Sequence, residues 1–206
     1  MGTIRSVADP GQVEFTVRGS RFIGIIAPAI RVDAAECVLE AIRNEYPDAT
    51  HHVSAYRVPA DPAEPTGRVR EFARDDGEPT GSAGKPALRV LTGQELRNVV
   101  AVVVRYYGGT NLGIGGLVSA YTRSVTEAIE AAEIERTVPT RELRVRTTYD
   151  DSGTVRGILE SSDVTFDAHY DAVVQFIIQM PIDRRERILE RLRNATSDRI
   201  EFETDG

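Results

Sequence analysis

NVVAVVVRYYGGTNLGIGGLVSAY, residues 98–121, divides into three parts that decide the fold. Val99 to Val104 is a continuous apolar run, too short for a helix and rich in valine, so it reads as a central strand covered on both faces. Leu117, Tyr121, Val125, Ile129 and Ala132 recur every three or four residues and predict a helix over roughly Gly116 to Glu135. Between them lies RYYGGTNLGIGG, residues 105–116. Strand, glycine loop and helix in that order aim backbone N–H groups and the positive end of a helix dipole at an anion. The spacing excludes both common nucleotide loops. Ile114 stands where a Walker loop needs lysine, and Gly113, Gly115 and Val118 fail the dinucleotide fingerprint at its third glycine. ATP hydrolysis and NAD binding are therefore unsupported, and no cofactor is implied. The architectural reading of the same glycines is a tight crossover beneath a helix, with φ > 0 at some of them.

Working outward, Val13, Phe15 and Val17 alternate with polar residues, and Gly19-Ser20 separates that strand from a second over Phe22 to Ile30, giving a hairpin. Asp33 is positioned to cap a helix carrying Val38, Leu39 and Ile42 and ending before Pro47. Short strands follow over Val53 to Val58 and Arg68 to Arg74. The pattern changes near Pro139, which sets expected domains of residues 1–137 and 138–206. Downstream, a strand with Leu143 and Val145 precedes a helix from Asp151 to Ser162, strands from Val164 to Tyr170 and Val173 to Met180, a helix from Asp183 to Asn194 and a last strand at Ile200 to Phe202. The order βαββαβ is the ferredoxin-like pattern.

The chain of 206 residues is 41% hydrophobic with its charges dispersed, which places it among globular proteins, and the order of elements makes the fold class α+β. No apolar run approaches the ~20 residues of a membrane span and Met1 to Asp9 is not of signal-peptide type, so a cytoplasmic location without membrane partners is expected. Cys37, the lone cysteine, permits no intrachain disulfide and sits in a setting that predicts a buried helix position. A net charge of −7 argues against whole-surface binding to nucleic acid, so any RNA contact needs a local patch.

A second polar, glycine-rich segment, DDGEPTGSAGKP at residues 75–86, reads as another loop beside the first. Lys85 is the single lysine of the chain, a compact charge suited to a phosphate. For Asp75, Asp76 and Glu78 the roles are magnesium ligation or pairing with Arg74, Lys85 or Arg105, pairing being favoured because the EF-hand spacing is absent. Arg105 either pairs with an acidic neighbour or reaches the loop's anion. His51 and His52 point to opposite faces of a strand, which argues against a shared metal. Tyr106, Tyr107 and Tyr121 can stack on bases, although Tyr121 lies on an apolar helix face. No nucleophile-base triad assembles.

Together the two segments, with HHVSAY and RGSRFIG upstream, resemble the signature of the IMPACT/YigZ family of translation-associated proteins. The resemblance implies an N-terminal domain of the ribosomal protein S5 domain 2-like fold, akin to domain IV of elongation factor G, and a C-terminal ferredoxin-like domain akin to its domain V. The family motif falls on Asp75, Asp76, Gly77, Glu78, Pro79, Gly81, Gly84, Lys85 and Pro86, and on Arg105, Tyr106, Gly108, Gly109, Leu112, Gly113, Gly115 and Gly116. Asn111 and Ser119 stand where relatives commonly carry a basic residue. The expected function is binding of RNA or the ribosome in translation regulation or a stress response. Its expected site holds a phosphate-like anion and comprises Asp75, Asp76, Glu78, Lys85, Arg105, Tyr106, Gly108, Gly109, Asn111, Gly113, Gly115 and Gly116, with no metal. The alternative is an enzyme acting on a small phosphorylated or peptide-like substrate, possibly metal-assisted.

Overall fold

A computed structural model describes residues 3–203. The chain divides into two compact units, Ile4–Thr137 and Val138 onward. The first contains β1 (Ile4–Asp9), β2 (Gly11–Val17), β3 (Ser20–Pro28), α1 (Val32–Glu45), β4 (His51–Pro59), β5 (Val69–Arg74), α2 (Gly84–Gly93), β6 (Val99–Tyr106), α3 (Gly113–Ala131) and β7 (Glu133–Thr137). The second contains β8 (Thr140–Thr147), α4 (Tyr149–Ser161), β9 (Phe166–Tyr170), β10 (Val174–Pro181), α5 (Arg185–Thr196) and β11 (Glu201–Glu203).

In the first unit a five-stranded antiparallel sheet runs β2-β3-β6-β4-β5, with the valine run at its centre. Alternation sends Val99, Ala101 and Val103 into the core shared with α2 and α3. Val100, Val102 and Val104 enter the core shared with α1 on the other face. A fully buried valine contributes roughly 1.5–3 kcal/mol, which is why this strand tolerates no polar break until Arg105. Helix α3 lies close on the sheet because Gly24 and Gly11 have no side chain: a Cβ on them would come within 2.3 Å of the Ser124 carbonyl and 2.2 Å of the Ala128 carbonyl.

The second unit is βαββαβ with strand order β11-β8-β10-β9, all neighbours antiparallel. Leu143, Val145, Phe176 and Ile178 of the sheet meet Val155 and Leu159 of α4 and Ile188 and Leu192 of α5. The fold class expected from the sequence is the one observed, an α+β chain with an N-terminal helix-plus-sheet unit and a C-terminal ferredoxin-like unit.

Several local readings are corrected. Residues 84–93 form α2, although 75–86 reads as a loop, and Lys85 stands in that helix's first turn. The long helix begins at Gly113 and ends at Ala131, and residues 133–137 turn back as β7 to pair with β1. Cys37 is exposed, because the buried stripe of α1 is Ala35, Leu39 and Ile42. Asp33 lies inside α1, whose N-cap is Arg31.

Candidate functional site

The three neighbouring carboxylates go to three different partners. Asp76 and Gly77 both have positive φ, +49° and +88°, and make a tight turn closed by the Glu78 N–H on the Asp75 carbonyl at 3.1 Å. The turn aims Asp75 back at the start of α2. There its carboxylate accepts N–H bonds from Gly81 at 2.7 Å, Ala83 at 3.1 Å and Gly84 at 2.8 Å. Asp75 therefore fills the anion position that a helix N-terminus offers. Asp76 accepts from the backbone N–H of His52 at 2.7 Å and from Arg43 at 3.2 Å.

Glu78 points into the protein. Its Oε1 accepts from Arg105 Nη1 at 2.5 Å and from the Tyr121 hydroxyl at 2.6 Å, with all three residues buried. Burial, reinforced by the Glu78 carboxylate, holds the Tyr121 phenol far above the usual tyrosine range. Arg105 Nη2 donates to Ser20 Oγ at 3.2 Å, and the guanidinium lies over the rings of Phe22 and Tyr107, 5.4 Å from each centroid. His51 completes the surround, with Nε2 3.9 Å from Glu78 Oε1 and Nδ1 2.8 Å from the Asp76 carbonyl. Of the two readings of Arg105, the structure has the pairing one. Tyr121 is at once a core residue and a hydrogen-bond donor. Sequence reasoning gives Ser20 and His51 no part in this cluster. The signal for Ser20 was its place just after the hairpin turn, opposite the end of β6.

Above the cluster sits the glycine loop. Ser20 Oγ also accepts from the Gly108 N–H at 3.2 Å, and Gly108 passes so close to Gly19 that a Cβ on it would lie 2.0 Å from the Gly19 carbonyl. Main chain packs on main chain, so the β2–β3 turn and the loop form one platform. Gly109 and Gly113 have φ of +79° and +71° and supply the left-handed turns expected of the loop. Asn111 Oδ1 accepts the Gly113 N–H at 3.0 Å. Gly115 and Gly116 lie in the first turn of α3 with no positive φ. Around a Cβ placed on Gly109, Gly113 or Gly115 there is nothing within 4 Å. Tyr107, Asn111, Ile114 and Lys85 are exposed, and Tyr106 is half-buried beneath Arg21, whose guanidinium lies 4.4 Å from the ring centroid. Of the expected site, then, Lys85, Asn111 and the outer glycines face solvent, whereas Asp75, Glu78 and Arg105 are committed internally. Among the described residues, no group of three or more His, Cys, Asp or Glu side chains is gathered as a metal site. No helix there is long and apolar enough to cross a membrane.

The model of the Impact N-terminal domain matches residues 18–129, the stretch that holds this whole arrangement. Over 175 residues the chain is 37% identical to the IMPACT family member YigZ of Escherichia coli (strain K12), covering 84% of each protein. The chain belongs to the IMPACT/YigZ family. A domain of unknown function, DUF1949, matches residues 145–199 of the ferredoxin-like unit. A second IMPACT family member, from Haemophilus influenzae, is 33% identical over 91% of this chain and 89% of its own length. The IMPACT homolog of Schizosaccharomyces pombe is 36% identical over 48% of this chain and 34% of its own length. The likeness extends to the whole fold: a crystal structure described as that of a hypothetical protein superposes with a TM-score of 0.69 at 31% identity, covering 100% of this chain and 98% of the other.

Proposed function

We propose that this IMPACT/YigZ protein acts in translation control in the cytoplasm, binding RNA or the ribosome through the glycine-rich face of its N-terminal domain. The single observation that carries the reading is Gly115. A glycine inside a helix costs roughly 0.5–1 kcal/mol relative to alanine. Neither a positive φ nor a neighbouring atom requires one here. Together with Gly109 and Gly113 it leaves the backbone at the start of α3 bare to an approaching partner, on the end of the helix where a phosphate-like anion is favoured. Lys85 adds an exposed ammonium to the same domain. The setting in translation rests on the resemblance to domains IV and V of elongation factor G.

The test is co-sedimentation with ribosomes over a range of salt concentrations. Lys85→Ala is expected to weaken association and to lower the slope of log affinity against log salt by about one, the effect of one lost phosphate contact. A folded Lys85→Ala variant that sediments like the parent at every salt concentration removes lysine from the site. Loss in neither Lys85→Ala nor Gly115→Ala overturns the glycine-face reading.

A further inference from the structure

Beside the first turn of α3, a groove of about 320 Å³ opens between that helix and the β2–β3 turn. Val17, Leu112 and Ala120 make an apolar floor, Gly116 and Ser119 form one rim, and Arg18 and Arg123 supply the charge. In a chain of net charge −7, the lining has two guanidinium groups and no carboxylate.

Arg18 is costly where it stands. Its φ of +46° puts a long side chain in the left-handed region, where glycine or asparagine sits at lower energy. Among the described residues it makes no hydrogen bond or ion pair that offsets this. Its position is fixed by the next residue, since Gly19 is packed on Gly108. Arg123 is held from the other side. Its guanidinium lies 4.0 Å from the Phe15 ring centroid and Nε donates to Glu127 at 2.6 Å, with the side chain half-exposed.

Resting on the translation reading above, we infer that this groove is a subsite for one nucleotide of single-stranded RNA. Planar guanidinium forks match phosphate oxygens and also stack on base faces. The apolar floor gives a base a surface to cover. The volume lies at the small end of ligand sites, the size of one nucleotide unit. An acidic peptide is the lesser fit: a single carboxylate satisfies one arginine and leaves the floor wet.

The experiment uses fluorescence anisotropy of a labelled hexa-adenylate RNA with the full chain. Arg18→Asn, which keeps the left-handed turn, and Ser119→Glu, which sets a carboxylate on the exposed rim, are each expected to weaken binding by about tenfold. Ser119→Lys is expected to tighten it; Arg18→Asn, by relieving the left-handed backbone cost, is expected to raise the melting temperature slightly, and neither change at Ser119 to lower it by more than a degree or two. Equal binding by the parent, Arg18→Asn and Ser119→Glu overturns the groove. Displacement of the RNA by an equimolar oligoglutamate peptide overturns it in favour of a protein partner. If these variants still sediment with ribosomes while Lys85→Ala and Gly115→Ala do not, the glycine-face reading stands without the groove. If the parent binds neither ribosomes nor the oligonucleotide, both fall.

Discussion

Helices α2 and α3 open the same way electrically and are finished in opposite ways. At α2 the Asp75 carboxylate occupies the positive end with three N–H bonds. At α3 the N-cap, Leu112, offers no side-chain bond, and the one side-chain oxygen in place is that of Asn111 on Gly113. The difference separates two uses of one piece of physics. An anion position filled from within holds the fold together, whereas one without a charged side-chain cap leaves backbone N–H groups to solvent. Substitutions at the two ends should therefore move stability in opposite directions.

The largest effect is expected beneath the filled end, where Glu78→Ala strips Arg105 of its buried counter-charge. Breaking such a pair costs about 3–5 kcal/mol, read as a lower urea midpoint. A loss under about 1 kcal/mol would show that water or a rearranged His51 replaces the carboxylate. Next, Asp75→Ala orphans three N–H groups that a charged acceptor served, and should cost about 2–3 kcal/mol in the same measurement. At the open end the sign reverses: Gly115→Ala should raise stability by roughly 0.5–1 kcal/mol while reducing ribosome association. A destabilised Gly115→Ala variant would erase the contrast.

The smallest effect sharpens the comparison with a third helix start, that of α4. There Thr148 Oγ1 accepts the Asp151 N–H at 3.3 Å, and Asp151 itself pairs with Arg199 at 2.8 and 3.0 Å. Hydrogen bonding from Arg199 holds the Asp151 carboxyl below the usual carboxylate range. Because its folded value is depressed, its contribution is present in full above the ordinary carboxylate pKa and is lost as pH falls through the folded value. Parent and Asp151→Asn should thus differ near neutrality and converge in acid, as followed by urea midpoints from neutral to acidic pH. A constant gap would mean that the pair does not titrate with unfolding.

The central strand was legible as a short unbroken apolar run, and the hairpin, the long helix and the βαββαβ order because each rests on local periodicity. Helix α2 was not, since Gly84, Lys85 and Pro86 look like loop. Proline is tolerated in a first turn, and the cap here is Asp75, far upstream of the usual position. Strands β1 and β7 pair Ser6 with Glu135, a contact that no window along the chain contains. The two polar, glycine-rich segments stood out in composition, but their wiring did not. Asp75, Asp76 and Glu78 look equivalent in sequence, yet the turn at Asp76-Gly77 sends them to local amides, to Arg43 and to Arg105. Arg18 and Arg123 fall in a hairpin turn and on an amphipathic helix, where arginine carries no local signal.

The contact of Gly19 with Gly108 has a consequence for variation among relatives. The geometry of the platform is set by main chain touching main chain, with side chains displayed outward from it. Tyr107 and Ser119 are displayed outward from that frame, whereas Arg18 and Asn111 also shape it, through a left-handed turn and the bond to the Gly113 N–H. The outward surface can thereby change one residue at a time, while a side chain on Gly108 would collide with the Gly19 main chain and break the frame.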